Sequence, residues 1–332
     1  EAPIARRGHG HPRGLALEGH GLHQRASLQR EDVRVPEAKA HRDGVVVERD
    51  AHRRLEEPFV TIRGLHLFGD HTSFILLPLA PLYWLFPSPA TLLVAQTVAL
   101  GSAAIPLFLL ARHLLRDEWS ALAVAVAYLV SPAVGWMNVE QFHPDVFEVP
   151  LVLWALLCME RRRWGWFLAC AVALLSVKED APLLTLGLGV LVLLRYDRRI
   201  GWITTGASLA WFGIAVWWVL PHFNTVGSLY VSRVPFGGPG GALRTLVTRP
   251  WEYVELATSD GRPSYVLQLL ASVGFLAVLA PSVALVAALP LASNVLSTFW
   301  YQYHIEYHYT AMIVPVLAAA AVFGIARFRG VG

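Results

Sequence analysis

The stretch LLSVKEDAPLL, residues 174–184, places three adjacent ionisable residues, Lys178, Glu179 and Asp180, between two apolar runs. Apolar runs of this kind are typical of helices in a membrane, where a full crossing needs about 20 residues. We therefore predict two short helices joined by a tight turn. On insertion scales an ionisable group at membrane depth costs about 2.5–3.5 kcal/mol, so such groups tend to be paired or to line a water-filled cavity.

The composition of the whole chain supports a membrane location. Of its 332 residues, 55% are hydrophobic and 15% are charged, and the mean hydropathy is +0.48. These values lie outside the usual range of soluble domains. The arginines are spread over short loops and form no single basic face, which argues against nucleic-acid binding. Cys158 and Cys170 lie in apolar runs and lack a metal-binding spacing.

The first 58 residues differ from the rest of the chain. They contain no Phe, Trp or Tyr, and none of their apolar runs has the length of a membrane span or a signal peptide. Such a segment cannot bury a core. We predict a polar, disordered leader over 1–58, an extracytoplasmic loop over 59–90, a membrane helix bundle over 91–326 and a cytoplasmic tail over 327–332.

The fold class predicted by hydropathy is all-α, a polytopic bundle of about nine membrane spans. Three of these runs are short for a full crossing. The predicted spans are 91–111, 119–137, 146–159, 164–177, 181–194, 200–220, 264–280, 282–299 and 310–326.

The positions of the arginines predict the orientation of the bundle, because basic short loops remain cytoplasmic. Arginines collect at four span ends, namely Arg112 and Arg116, Arg161 to Arg163, Arg195 with Arg198 and Arg199, and Arg327 with Arg329. With nine spans, all four groups fall on one side. The loops 138–145, 178–180, 221–263 and 300–309 then share the extracytoplasmic face of the cell membrane.

Two segments outside the spans are predicted to lie at the membrane surface. The run 71–86 is short and contains Pro78 and Pro81, which favours an outer interfacial helix over a span. The loop 221–263 combines a Gly/Pro-rich segment with an amphipathic stretch, and we interpret it as a mobile lid over an outer cavity.

Unusual polar residues collect in the predicted outer loops. Beside the Lys178 turn they are His66, Asp70, His71, His143, Asp145, Glu148, His222, Asn224, Tyr301, His304, Glu306 and His308. Each group also has a simpler interpretation. Residues 178–180 could be a solvated loop tip, and Asp145 could cap a helix that starts at Val146, with Glu148 in its first turn. His304 and His308 could bind a metal if their segment is helical, or belong to an aromatic belt.

Four separated motifs, GDHTSFILLPLAPLYWLFPSP, FHPD, VKEDAPLL and YQYHIEYHY, carry a resemblance to a known family. In this order they resemble a group of prokaryotic multi-pass membrane proteins, the domain of unknown function 2079, which is similar to the C-type glycosyltransferase superfamily. The resemblance covers about residues 58–326. It implies a bundle with an outer interfacial helix and an active site on the outer face, where sugar is transferred from a polyprenyl-phosphate donor.

One feature departs from that family pattern. The resemblance implies a first span and an early acidic motif, and residues 1–58 contain neither. We interpret this segment as a different reading frame or a foreign leader that replaces the missing part, and a protein that truly begins this way could lack the donor-side base and be inactive. Sequencing the upstream DNA for an in-frame span tests this interpretation.

The resemblance and the polar loops together predict a lipid-linked sugar transferase. The predicted catalytic residues are Asp70, as the base, with Lys178, Glu179 and Asp180. The predicted substrate-binding residues are His71, His143, Asp145, Arg233, Tyr301, His304 and His308. Its partners would be the lipid bilayer and a polyprenyl-phosphate-linked sugar, and a divalent metal is left open as a cofactor. The alternatives are a multi-pass transporter or lipid flippase, and a membrane scaffold without activity.

Overall fold

The computed structural model describes residues 59–60, 64–224, 227 and 230–330, which are mostly helical. The α-helices are Leu67–Asp70, Ala80–Leu85, Pro89–Ser102, Ala104–Leu115, Glu118–Leu129, Pro132–Val139, Glu148–Glu160, Trp164–Leu175, Ala181–Arg195, Arg198–Ile214, Leu220–Phe223, Pro239–Thr248, Trp251–Thr258, Arg262–Ala271, Pro281–Ala284, Ala288–Leu296 and Val314–Phe328. The 3₁₀ turns are Phe74–Leu79, Pro144–Phe147, Val231–Arg233, Leu276–Leu279, Leu285–Ala287, Trp300–Tyr303 and His308–Thr310, and a π-turn spans Ala215–Val219.

The all-α prediction needs one small correction. The strands Phe59–Val60 and Leu65–His66 form an antiparallel pair, with Phe59 opposite His66. The predicted leader over 1–58, together with the interpretation of its origin, lies outside the described residues.

Three of the described helices are long and apolar enough to cross a membrane, namely Pro89–Leu115, Arg198–Phe223 and His308–Phe328. At 1.5 Å per residue, even the shortest, with 21 residues, reaches about 30 Å, the thickness of the hydrocarbon layer. The pair Glu118–Leu129 and Pro132–Val139 passes the same test together, with a bend of 44°. The prediction of membrane-spanning helices is therefore confirmed, while the number nine is not.

The local sequence explains where several helices begin. The carboxylate of Asp117 accepts a hydrogen bond from the Ser120 amide at 2.9 Å, and Asp197 accepts one from the Ile200 amide at the same distance. An acidic residue at this position satisfies a backbone donor that has no partner inside the helix. Both caps follow an arginine-bearing helix end, so each turn can be short and polar.

The helix His308–Phe328 lies at the centre of the bundle. In its most apolar window 78% of the residues are buried, against 33% for Pro89–Leu115 and 28% for Arg198–Phe223. Small residues allow close packing around it. A Cβ atom added at Gly324 would lie 2.4 Å from the Leu276 carbonyl oxygen. The backbone at Leu276 can therefore approach this closely only because residue 324 is a glycine. The other two long helices are left with large exposed apolar faces, which suit contact with lipid.

Exposed tryptophans mark the two ends of the helix Arg198–Phe223. Trp202 lies near its start, and Trp217 and Trp218 lie near its end, all with more than 60% of their surface exposed. Tryptophan collects at both interfaces between a membrane and water. Trp119 and Trp166, near the starts of two other helices, are equally exposed. This distribution agrees with a helix bundle that crosses a bilayer.

The segments predicted to lie at the membrane surface are helical and short. Residues 74–85 form a 3₁₀ turn followed by the helix Ala80–Leu85, and neither part contains a buried residue. Pro78 lies inside the 3₁₀ turn, as expected for a proline-broken helix. In the predicted loop 221–263, the helix Pro239–Thr248 is mostly exposed and the helix Trp251–Thr258 contains no buried residue. Their position relative to a membrane and the lid role stay predictions.

Candidate functional site

A buried ion pair lies at the end of the bundle opposite the arginine-rich turns. Lys178 sits in the turn between the helices Trp164–Leu175 and Ala181–Arg195. Its Nζ atom lies 3.1 Å from Oδ1 of Asp145 and 3.9 Å from Oδ2 of Asp180. The side chains of Lys178 and Asp145 are only 5% and 3% exposed. The interpretation of residues 178–180 as a solvated loop tip is therefore wrong.

The charges of this pair stabilise one another. Burial alone would lower the pKa of Lys178, but the nearby carboxylates, Asp145 foremost, outweigh it and raise the pKa well above the usual value. Burial alone would likewise raise the pKa of Asp145, but the Lys178 ammonium holds it below its usual range. Both groups are therefore ionised at neutral pH. Burial raises the pKa of Asp180, because the Lys178 ammonium offsets the lost hydration of this carboxylate less well than that of Asp145.

A second group of hydrogen bonds joins the 66–73 segment to the same turn. Nδ1 of His71 lies 2.8 Å from Oε1 of Glu179, whose other oxygen accepts the Thr72 amide at 3.1 Å. On the other side of the ring, Nε2 of His71 lies 3.0 Å from the hydroxyl of Tyr230. That hydroxyl donates to Oδ1 of Asp70 at 2.6 Å. Two carboxylates, a histidine and a tyrosine thus form one chain.

The direction of each hydrogen bond in this chain follows from its two ends. Tyr230 gives its single proton to an oxygen of Asp70, and the Glu179 carboxylate accepts from Nδ1 of His71. Tyr230 then has only lone pairs left for Nε2 of His71. Burial alone would raise the pKa of Glu179, but the contact with the His71 ring outweighs burial and lowers it.

Arg233 is the second cation near this site, and its surroundings differ from those of Lys178. Its guanidinium lies over the rings of Phe299, Tyr230 and Tyr309, at 4.4, 4.5 and 5.8 Å from their centroids. It also donates to the Tyr309 hydroxyl at 3.3 Å. Among the described residues it forms no ion pair with a carboxylate. The Tyr309 ring is shared with Lys178, whose Nζ lies 5.7 Å from its centroid.

A third group combines histidines from two distant segments. The rings of His143 and His308 are stacked, with centroids 3.5 Å apart, and Nδ1 of His308 lies 3.2 Å from Oε1 of Glu140. Glu140, His143 and His308 are the one set of three metal-type side chains that converge within the described part of the chain. This group adjoins the ion pair, because Asp145 and Tyr309 belong to the same two segments.

Glu148 is buried next to these charges without a hydrogen bond. It is 0% exposed, and neither carboxylate oxygen has a partner among the described residues. Glu148 begins the helix Glu148–Glu160, so its place in the first turn is confirmed. A buried carboxyl group without a partner is rare in folded proteins and marks this end of the helix as unusual.

Two interpretations from the sequence are wrong, the cap at Asp145 and the helical pair of histidines. Asp145 does not cap a helix that starts at Val146, because it lies inside the turn Pro144–Phe147 and bonds Lys178 instead. His304 and His308 do not share a helix, since residues 304–307 separate two 3₁₀ turns. Nδ1 of His304 contacts the Trp300 carbonyl at 2.8 Å, while His308 contacts Glu140.

The predicted site residues therefore separate into two sets. Nine of them join the three groups described above: Asp70, His71, His143, Asp145, Lys178, Glu179, Asp180, Arg233 and His308. Tyr301 and His304 lie beside them on an aromatic surface, where Tyr301 stacks on Trp300 at 4.0 Å. The chemical roles of both sets stay predictions.

Four residues of the site were not among the predicted site residues: Glu140, Glu148, Tyr230 and Tyr309. Glu140 and Glu148 flank the FHPD motif, and Tyr309 follows His308 directly, so proximity to the motifs was an available signal. Tyr230 stands in a loop without any motif. Only its contacts with Asp70 and His71 identify it.

Comparison with known proteins assigns the chain to a family without assigning an activity. Neither curated proteins nor solved structures yielded a match. A family model described as predicted membrane protein (DUF2079) matches residues 43–330, so it starts within the segment interpreted as a leader. Residues 43–330 include all three groups of the candidate site, and the chain belongs to this family of predicted membrane proteins of unknown function.

Proposed function

We propose that the protein is a membrane glycosyltransferase that moves a sugar from a polyprenyl-phosphate donor to a hydroxyl acceptor. It would act on the extracytoplasmic face of the cell membrane, as a multi-pass bundle of about nine spans with a C-type glycosyltransferase-like fold. The observation that carries the proposal is the convergence of acidic groups and two cations at one end of the bundle. Ionisable groups brought together in a membrane protein commonly mark a site of chemistry.

In this reaction Asp70 serves as the general base. The acceptor hydroxyl gives its proton to Asp70 while its oxygen bonds to the anomeric carbon of the sugar with inversion. The bond between that carbon and the phosphate oxygen breaks, and polyprenyl phosphate leaves with the electron pair. Tyr230 positions Asp70 through its hydrogen bond, His71 contacts the Tyr230 hydroxyl, and Glu179 holds the His71 ring.

Arg233 is the residue best suited to bind the leaving phosphate. Negative charge builds on the phosphate oxygens as the bond breaks, and a planar guanidinium binds such oxygens with two parallel hydrogen bonds. Arg233 is free of a carboxylate partner within the described ranges, and the aromatic rings around it restrict its motion. Lys178 contributes positive charge from a deeper position, although Asp145 already neutralises much of it.

An assay of purified full-length protein with polyprenyl-phosphate sugars tests the proposal. Asp70→Asn keeps the size and the contact with Tyr230 but cannot take a proton, so transfer should fall by about 10²–10⁴-fold. Glu118→Gln is the matched control, because Glu118 is exposed at the opposite end of the bundle. Transfer at the wild-type rate by Asp70→Asn, Lys178→Ala and Asp180→Asn alike would show that this is not the site.

A transporter or lipid flippase is the second candidate, and two observations favour it. Glu148 is a buried carboxyl group that could carry a proton, and the pair Glu118–Leu129 and Pro132–Val139 is bent by 44°. Broken helices with buried acidic residues are common in proton-coupled transporters. Proton-dependent flux of a substrate in proteoliposomes, abolished by Glu148→Gln and present without sugar transfer, would replace the enzyme proposal.

A further inference from the structure

Glu140, His143 and His308 meet although they belong to three different elements. Glu140 directly follows the helix Pro132–Val139, His143 precedes the turn Pro144–Phe147, and His308 begins the turn His308–Thr310. One potential ligand atom from each residue lies within 4.8 Å of the other two. The set contains two imidazoles and one carboxylate, which is a donor set that suits zinc and similar transition metals better than magnesium.

The spacing between His308 and Glu140 fits two ligands of one ion. Nδ1 of His308 lies 3.2 and 3.3 Å from the two carboxylate oxygens of Glu140. A hydrogen bond between a charged nitrogen and a carboxylate is usually shorter, about 2.7–2.9 Å. Two ligands bound tetrahedrally to zinc at about 2.0–2.1 Å stand roughly 3.3–3.4 Å apart. The ring of His143 is stacked on that of His308 with 15° between the ring planes, so one of the two rings must rotate before both nitrogen lone pairs can point at one ion.

Neighbouring groups already orient two of the ligands. Nδ1 of His143 contacts the Gln141 carbonyl oxygen at 2.8 Å. A carbonyl can only accept, so this contact places the proton on Nδ1 and leaves the lone pair on Nε2. The Glu140 carboxylate accepts the His308 amide at 2.6 Å, which holds its second oxygen in place. Metal-binding histidines and carboxylates are commonly fixed by such outer contacts.

The buried side chain of Gln96 holds the loop that carries Glu140 and His143. Its amide nitrogen donates to the carbonyl oxygens of Met137 and Glu140, each at 3.1 Å, and its oxygen accepts the His143 amide at 3.2 Å. Gln96 is 0% exposed and belongs to the helix Pro89–Ser102. The loop is therefore held in shape by a long helix, as a preformed ligand site requires.

We propose that Glu140, His143 and His308 bind one divalent transition metal ion of the zinc class. Three protein ligands leave the fourth tetrahedral position open to water or to an anionic oxygen. The site joins segments 168 residues apart and does not depend on the proposed sugar transfer. The competing explanation is that Glu140 and His308 form only an ion pair without a metal.

Metal uptake by the purified full-length protein tests this proposal. The protein is stripped with a chelator and then titrated with Zn²⁺, Mn²⁺ or Mg²⁺, with the bound metal measured per chain. About one Zn²⁺ should bind, Mg²⁺ should not displace it, and Zn²⁺ should raise the Tm because it binds the folded chain. Co²⁺ in its place should produce the visible absorption of a tetrahedral site.

The variants separate the metal site from the ion pair. His143→Ala and Glu140→Gln should each weaken Zn²⁺ binding by about 10-fold or more. His304→Ala is the matched control, because His304 lies in the neighbouring loop and contacts the Trp300 carbonyl. The proposal is overturned if the wild-type protein binds no Zn²⁺. It is also overturned if Glu140→Gln and His143→Ala bind Zn²⁺ as tightly as the wild-type protein does. Glu140→Gln retains the acceptor for the His308 amide, so its folding can be verified by its Tm.

Discussion

The two ends of the helix bundle use the same kinds of charged residues in opposite ways. At the arginine-rich end, Arg112 and Glu118 approach to only 3.8 Å, with side chains 46% and 78% exposed. At the other end, Lys178 and Asp145 approach to 3.1 Å, with side chains 5% and 3% exposed. An exposed pair is screened by water and contributes little, whereas a buried pair must compensate a large loss of hydration.

This difference separates charged residues whose positions follow from membrane topology from charged residues that need another explanation. The turns that carry arginine are also capped by Asp117 and Asp197, so their charges and caps follow from local sequence. At the other end, Asp145 and Glu179 are bound to partners from distant segments, and Glu148 is buried without a partner among the described residues. Because burial of such groups lowers stability unless every partner is present, their retention at one place supports a functional site.

The largest expected difference between the two ends concerns the buried ion pair. Lys178→Ala leaves the carboxylate of Asp145 buried without its cation, so the free energy of unfolding should fall by about 3–5 kcal/mol. Arg112→Ala at the exposed end should lower it by less than about 1 kcal/mol. Denaturant titration in detergent micelles measures both. Similar losses for the two variants would remove the contrast between the ends.

A smaller effect is expected when the charge of Glu179 is removed. Glu179→Gln keeps an acceptor for the Thr72 amide but loses the charged partner of His71, which should lower the free energy of unfolding by about 1.5–3 kcal/mol. Glu118→Gln is the same change at an exposed residue and should have an effect within about 0.5 kcal/mol. The same titration compares the two. A neutral result for Glu179→Gln would mean that His71 is held by other contacts.

The smallest of the three expected effects concerns backbone packing beside Asp70. A Cβ atom at Gly69 would lie 2.5 Å from the Phe223 carbonyl oxygen, so Gly69→Ala should lower the free energy of unfolding by about 1–3 kcal/mol. Gly165, near the start of the helix Trp164–Leu175, has nothing within 4 Å of such an atom. Gly165→Ala should therefore be neutral or stabilise the helix by up to about 1 kcal/mol. A Tm measurement on both variants checks this, and an unchanged Tm for Gly69→Ala would mean that the 66–73 segment can move away.

Membrane-spanning helices were predictable from the sequence because their cause, a long run of apolar residues, is local. Hydropathy located Pro89–Leu115, Arg198–Phe223 and His308–Phe328, although it predicted nine spans where three of the described helices qualify alone. Short runs such as Trp164–Leu175 are ambiguous, since the same apolar residues can face lipid or a protein core. Periodicity does not separate these two surroundings.

The site was partly predictable, because its motifs contain residues that are unusual in apolar surroundings. Asp70, His71, Asp145 and the residues 178–180 were selected for that reason, and they do come together. Their pairing was not predictable. Tyr230, which contacts both Asp70 and His71, follows no motif at all.

Two aspartates show what the sequence by itself determined and what only the tertiary structure decided. Asp117 and Asp145 both precede a helix, a place where an aspartate commonly acts as a cap. Asp117 is a cap, since every group it needs lies within three residues. Asp145 instead binds Lys178, which is 33 residues away. The backbone donors that Asp117 caps are its neighbours in the sequence. The partner of Asp145 is placed beside it only when the helices pack together. A buried charge then binds the strongest partner that this packing provides.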